Sequence, residues 1–295
     1  MEALKGIIPR SAYTAFILFF STIVSGEGRL YKAAMHEAEW MIESSVFECK
    51  LSQTIPQFGE AHFTHRAGEP LRFRMVAASD LLADSDLALK AVPPPWNYSR
   101  SEKLLGSVEL SHGSSFMLET DFARKLMNEM LTGMVPTFQG VANFDEQITM
   151  QVAVSPLHFQ AAYSEYQQCS GELLPVNYDQ VQRSTIFWGS NMRSLDGAAK
   201  LLLDNIVLYS RADTSIVGFE VDSFTDTVGE RRDNLLISEE RAFVVTNYLV
   251  SQGVDPETIA TRAHGEREEY LIASPETTVA DRDRNRRVNI VMVRR

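Results

Sequence analysis

The stretch FTDTVGERRDNLLISEERA, from Phe224 to Ala242, decides how this chain is read. Val217, Phe219 and Val221 alternate with polar neighbours just before it, which is the period of a strand. Thr225-Asp226-Thr227-Val228-Gly229 then reads as the loop at that strand's end. Ser238 is placed to cap a helix whose Ala242, Val245 and Leu249 share a face and which Gly253 closes. On this reading Glu239 and Glu240 fill the first turn, where the helix dipole favours acids, and Arg241 opposes the rule. Helical side chains lean toward the N-terminus, so the Arg241 guanidinium is expected over the helix start, where it can grip a carboxylate bidentately. Asp226, on the preceding loop, is placed to take an ammonium. An Arg for a carboxylate and an Asp for an ammonium recognise the zwitterionic end of an amino acid. The alternative is that Asp226 and Arg241 simply pair with each other.

Outward from this stretch, residues 176–295 alternate strands and helices. A strand is expected near 183–188 and a helix near 194–209, with Leu195, Leu202, Ile206 and Tyr209 in register. Ile259 begins a third strand, and Val288, Ile290 and Met292 alternate in a last one, entered through Asp281-Arg282-Asp283-Arg284-Asn285-Arg286-Arg287. Such a pattern implies an α/β sandwich, a sheet with helices on one face. Residues 27–175 differ. Short alternating runs such as Ser45–Leu51, Leu71–Met75 and Ile148–Val154 read as strands, and one main helix is expected near 120–132, capped by Thr120 or Asp121 and ended by Gly133. The fold class is therefore α+β, a β-rich first domain followed by a layered second one.

The chain of 295 residues opens with Lys5 and Arg10, then an uncharged apolar run from Ala12 to Val24, then Ser25-Gly26. That order predicts a secretory signal peptide over residues 1–26, too short an apolar run for a spanning helix of roughly 20 residues. Export permits a disulfide, and one intramolecular bridge is the simplest use of the two cysteines, Cys49 and Cys169; two buried free thiols are the alternative. A net charge of −11 argues against a nucleic-acid partner. His62 and His65 point to opposite faces of a strand-like run, which argues against a shared metal; no cofactor is expected, and no residue set reads as a site for turnover chemistry.

Three ordered motifs resemble the OmpA-like peptidoglycan-binding family. Thr225, Asp226 and Gly229 match its first motif. Asn234, Ser238, Arg241 and Ala242 match the second, with Ile237 in place of Leu. Arg282, Asn285, Arg286, Arg287 and Val288 match the third, with Asp281 in place of Gly. The resemblance implies that Asp226 and Arg241 hold the diaminopimelate of the peptidoglycan stem peptide and that Thr225, Asn234 and Arg286 support the pocket. Phe224 stands where many members have His. In the first half, Phe47–Leu51, Ile55–Phe63, Pro93–Trp96 and Pro136–Phe138 resemble the MotY family of flagellar motor proteins, and Cys169 falls where that family's second cysteine lies. This resemblance implies a periplasmic, non-enzymatic component of a polar flagellar motor. It would sit in a ring (the T-ring), with its first domain on the basal body and stator proteins and its second on the wall. Two further readings are an OmpA-type outer-membrane protein with residues 27–175 as an eight-stranded barrel, and a cell-wall hydrolase with a wall-binding domain.

Overall fold

A computed structural model describes residues 28–110, 113–190 and 193–295. The expected signal sequence over 1–26 lies outside the described residues.

Alternation builds the first half. In β3 (Glu48–Ile55) the residues Cys49, Leu51, Gln53 and Ile55 are buried while their neighbours are not. β3 lies in a sheet with β2 (Met41–Ser44), β4 (Gly59–Arg66), β5 (Arg72–Ala77) and β8 (Phe116–Leu118), in the order β2-β3-β4-β5-β8. The second sheet takes β1 (Arg29–Tyr31), β6 (Asp86–Val92), β7 (Lys103–Glu109), β9 (Val135–Val141) and β10 (Thr149–Ala153), in the order β1-β10-β9-β6-β7. One hydrophobic core joins the two sheets. Phe73 of β5 and Phe138 of β9 are fully buried and stack with centroids 5.7 Å apart. Each such side chain contributes about 1.5–3 kcal/mol by leaving water. Both sheets are open at their edges, so residues 27–175 are not an eight-stranded barrel.

Two helices, not one, pack against this core. α1 (Thr120–Leu131) buries Ala123, Leu126, Met127 and Met130, and Gly133 follows it at φ 80°. Neither expected cap acts as one. Glu119 holds the cap position, and the Thr120 hydroxyl donates to Leu71 O at 2.8 Å instead. α2 (Phe159–Glu172) buries Phe159, Ala162, Tyr166 and Cys169, a face interleaved with Gln and Ser. Cys169 near its end is bonded to Cys49 on β3, with Cα atoms 6.0 Å apart.

The second half comprises α3 (Tyr178–Val181), β11 (Arg183–Phe187), α4 (Gly197–Ala212), β12 (Ile216–Phe224), α5 (Arg231–Ser251), β13 (Ile259–Gly265), α6 (Val279–Asn285) and β14 (Arg287–Arg294). Its sheet order is β11-β14-β12-β13, with β12 and β13 parallel and the other pairs antiparallel. Phe219 and Val221 of β12, Ile290 and Met292 of β14, and Val245 and Leu249 of α5 share a second core.

Where the two halves meet, backbone and side chains interlock. Leu174 N–H donates to Val46 O at 2.9 Å, and the Asn177 amide donates to Ala67 O at 3.1 Å and to Glu69 Oε1 at 3.0 Å. The Gln180 amide donates to Gly68 O at 3.0 Å. Gly68 sits at φ 67°, and a Cβ there would lie 2.9 Å from Val176 Cα, so no other residue fits this approach without a shift. Phe47 packs on Tyr209 with ring centroids 5.4 Å apart.

Asp213, which follows α4, secures that tyrosine. Its carboxylate accepts from Ser215 N–H at 3.0 Å, from Ser215 Oγ at 2.6 Å, from Tyr209 Oη at 3.1 Å and from Arg294. Burial works against ionisation, but these bonds prevail and bring the carboxyl down to about 2. A carboxyl depressed in the folded state stabilises the protein above its unfolded value and loses that contribution as the pH falls toward the folded one. The urea midpoint should therefore decline between pH ~4 and ~2. Asp213→Asn should flatten part of that decline; an unchanged profile in the variant would remove Asp213 from this role.

Candidate functional site

Three chain segments converge at one end of the sheet β11-β14-β12-β13: the loop after β12, the N-terminal half of α5, and the turn between α6 and β14. Helix α5 begins at Arg231, seven residues before Ser238. Ser238 is thus inside the helix and caps nothing. Its hydroxyl donates to Leu235 O at 2.7 Å and accepts Gly265 N–H at 3.1 Å, tying α5 to the end of β13. Glu239 and Glu240 are not in a first turn, and Arg241 is not at a helix N-terminus. The dipole argument therefore does not apply to it.

Arg241 is nonetheless buried, at 4% exposure, and its Nε and Nη1 find no hydrogen-bond partner among the described residues. Its guanidinium carbon lies 5.5 Å from the ring centroid of Trp188, itself buried. Burial, with Arg286 beside it and against the pull of Asp226, lowers the guanidinium to about 10.

Asp226 does not pair with Arg241. It forms an ion pair with Arg286, whose Nε also donates to Trp188 O at 3.1 Å and whose other terminal nitrogen meets Asp283. Asp226 Oδ1 accepts Val228 N–H at 3.4 Å, and an ionised carboxylate has room for a further donor. Two guanidinium groups thus flank one buried carboxylate, and in one of them, Arg241, Nε and Nη1 have no hydrogen-bond partner among the described residues. A buried charge is costly unless paired, so the arrangement favours an incoming anion at Arg241.

The expected supporting residues lie around this pair. Asn234 is buried on the first turn of α5; its amide donates to Val228 O at 3.1 Å and to the Glu266 carboxylate. Gly229, at φ 106°, lets the loop fold back over it. Thr225 is buried, its N–H donates to Gly265 O at 2.9 Å, and its hydroxyl has no partner among the described residues. Phe224 packs against His264, with ring centroids 4.8 Å apart, and against the Arg287 guanidinium at 4.1 Å.

Sequence reasoning missed Glu276 and Trp188. The Glu276 carboxylate accepts Thr227 N–H at 3.0 Å and Thr227 Oγ1 at 2.7 Å, and also the Asn285 amide. Burial opposes its charge, but these bonds hold its carboxyl below the usual range. Asn285, fully buried, accepts Ile272 N–H at 2.9 Å and Ala273 N–H at 3.1 Å. Glu276 and Asn285 thereby fasten the β12 loop to α6. Asn285 is marked in the sequence only by its place in the third motif, and Glu276 carries no local signal, because it acts on the loop at Thr227, 49 positions away.

Comparison with known proteins gives two family matches: residues 31–175 to the MotY N-terminal domain and residues 187–286 to the OmpA family. The chain is 26% identical over 272 residues to the sodium-type flagellar protein MotY of Vibrio parahaemolyticus, covering 90% of this chain and 91% of that relative. It is 34% identical over 127 residues to outer membrane protein A of Bordetella avium, covering 43% of this chain and 63% of that relative. Among solved structures it is similar to the peptidoglycan-associated lipoprotein of Burkholderia pseudomallei, at 21% identity and a TM-score of 0.34, over 37% of this chain and 89% of that one.

Proposed function

This chain joins a MotY N-terminal domain to an OmpA-family domain, and from that pairing we propose that it is a periplasmic flagellar-motor protein that grips peptidoglycan. Residues 176–295 bind the wall and residues 27–175 associate with the basal body, so that the chain recruits or braces stator units within a ring. The action is mechanical: a stator must push against something fixed. The observation that carries the wall-binding part is the buried Arg241 guanidinium, short of partners beside the Asp226–Arg286 pair. A stem-peptide diaminopimelate end would place its carboxylate on Arg241 and its ammonium on Asp226. Arg286 would hold Asp226 in position, and Thr225 and Asn234 would shape the loop.

Two measurements test the proposal together. The mature chain should pellet with purified sacculi and be displaced by free meso-diaminopimelate. A deletion strain should lose swimming while still assembling filaments, and regain it with the intact gene. Pelleting without displacement would reject the pocket. Normal swimming in the deletion strain would reject the motor role.

A further inference from the structure

The first half carries a cleft where one end of the sheet β1-β10-β9-β6-β7 opens to solvent. Lys32 and Met35 follow β1, Pro94 and Trp96 follow β6, Val135 begins β9, and Leu157 follows β10; all line it. The cleft measures about 170 Å³, below the ~300–1,000 Å³ of sites that enclose small molecules. That size suits one or two side chains of a segment laid across it.

Its walls are apolar and its rim presents large side chains to water: Trp96 is 63% exposed and Met35 66%. Its floor is rigid. Gln53, buried on β3, takes both hydrogen bonds of the Ser155 peptide, accepting Ser155 N–H at 2.7 Å and donating to Ser155 O at 3.1 Å. The Trp40 indole also donates to Ser155 O, at 3.0 Å. The Trp96 loop is pinned by Asn97 N–H to Pro94 O at 2.9 Å and by Arg100 to Thr132 O at 3.0 Å. A preorganised site loses little ordering entropy when it binds.

The charge at this cleft is one-sided. The Lys32 ammonium is half-buried, and no carboxylate among the described residues lies within ion-pairing distance of it; burial alone pulls it below the usual lysine range.

We propose that this cleft docks an extended peptide segment of a partner protein, apolar at its anchor and carrying a carboxylate that meets Lys32. Trp96 and Met35 supply the anchoring contact, as large exposed side chains at interface centres do. The inference stands apart from wall binding, because it involves none of the residues around Asp226.

A displayed library of random eight-residue peptides, selected on the mature full-length chain and counter-selected on its Trp96→Ala variant, tests it. Enriched peptides should pair Leu, Ile, Val or Phe with a single Asp, Glu or free C-terminus. A synthetic peptide of that kind should lose about tenfold or more in affinity when its acid becomes an amide, the weight of a charge-assisted hydrogen bond. Lys32→Met should erase that difference while leaving the melting temperature unchanged. Three results would overturn the proposal. One is no enrichment over the Trp96→Ala chain. Another is enriched peptides indifferent to the acid or to Lys32. The third is concentration-dependent self-association abolished by Trp96→Ala, which assigns the cleft to a second copy.

Discussion

Arg241→Met should abolish co-sedimentation with sacculi and leave the fold intact or slightly more stable. The two effects separate because Arg241 has no hydrogen-bonding partner at Nε or Nη1 to lose among the described residues. It sits desolvated beside a second cation, Arg286. Replacing a buried charge that lacks a good partner by an apolar side chain of similar length is often neutral or stabilising. Binding is different, because a ligand carboxylate would forfeit a charge-assisted bidentate contact in a buried setting. Losing one partner of such a pair costs about 2–5 kcal/mol, or roughly 30-fold to several thousand-fold in affinity. Asp226→Ala behaves otherwise. It strips Arg286 of its buried carboxylate and leaves two guanidinium groups together, so it should cost stability on the order of 3–5 kcal/mol as well as binding. Thermal melts and sacculus pelleting on both variants check the contrast. If Arg241→Met melts early or still pellets, or Asp226→Ala melts like wild type, the assignment of these groups is wrong.

The double variant Cys49→Ser/Cys169→Ser should lose on the order of 2–5 kcal/mol, which for a domain of this size lowers Tm by several degrees or more. The bridge closes a loop spanning 120 positions, long enough to restrict the unfolded chain strongly. Its placement adds a local effect. Cys169 lies three residues from the end of α2, and the chain then runs directly to Leu174, hydrogen-bonded to Val46. Cys49 lies just beyond Phe47, which packs on Tyr209. The bridge therefore backs the contact between the halves as well as the first core. Limited proteolysis of the double variant should open sites between residues 173 and 177 before the second half unfolds. A variant that melts as wild type and resists cleavage there would leave the bridge without a structural role.

How much of this was legible follows from the range of each signal. Strands β11, β12 and β14 declare themselves by short-range alternation and helix α4 by its helical spacing, each within three residues of the expected bounds, and β13 begins at Ile259 as expected. The start of α5 does not. Ser238 looks like a cap locally, yet its hydroxyl is satisfied by Leu235 and Gly265, and the helix extends back through Arg231-Arg232-Asp233 with nothing to break it. Helix α2 was hidden because its buried positions are sparse and one of them is the disulfide cysteine. Within the site, Asp226 and Arg241 stand out by motif, and the structure puts both beside Arg286. The partner of Asp226 was not legible: Arg286 lies 60 positions away, and only the pairing of β12 with β14 brings them together.

The contact between the halves has a mechanical consequence. A flexible linker the length of residues 173–177 would let its ends wander by about 12 Å. Here the segment is fastened at Val46 and Ala67, Gln180 just beyond it holds Gly68, and Phe47 packs on Tyr209. A load that separates the halves must first break these hydrogen bonds and unseat Phe47 from Tyr209, which an unattached linker of the same length would not require.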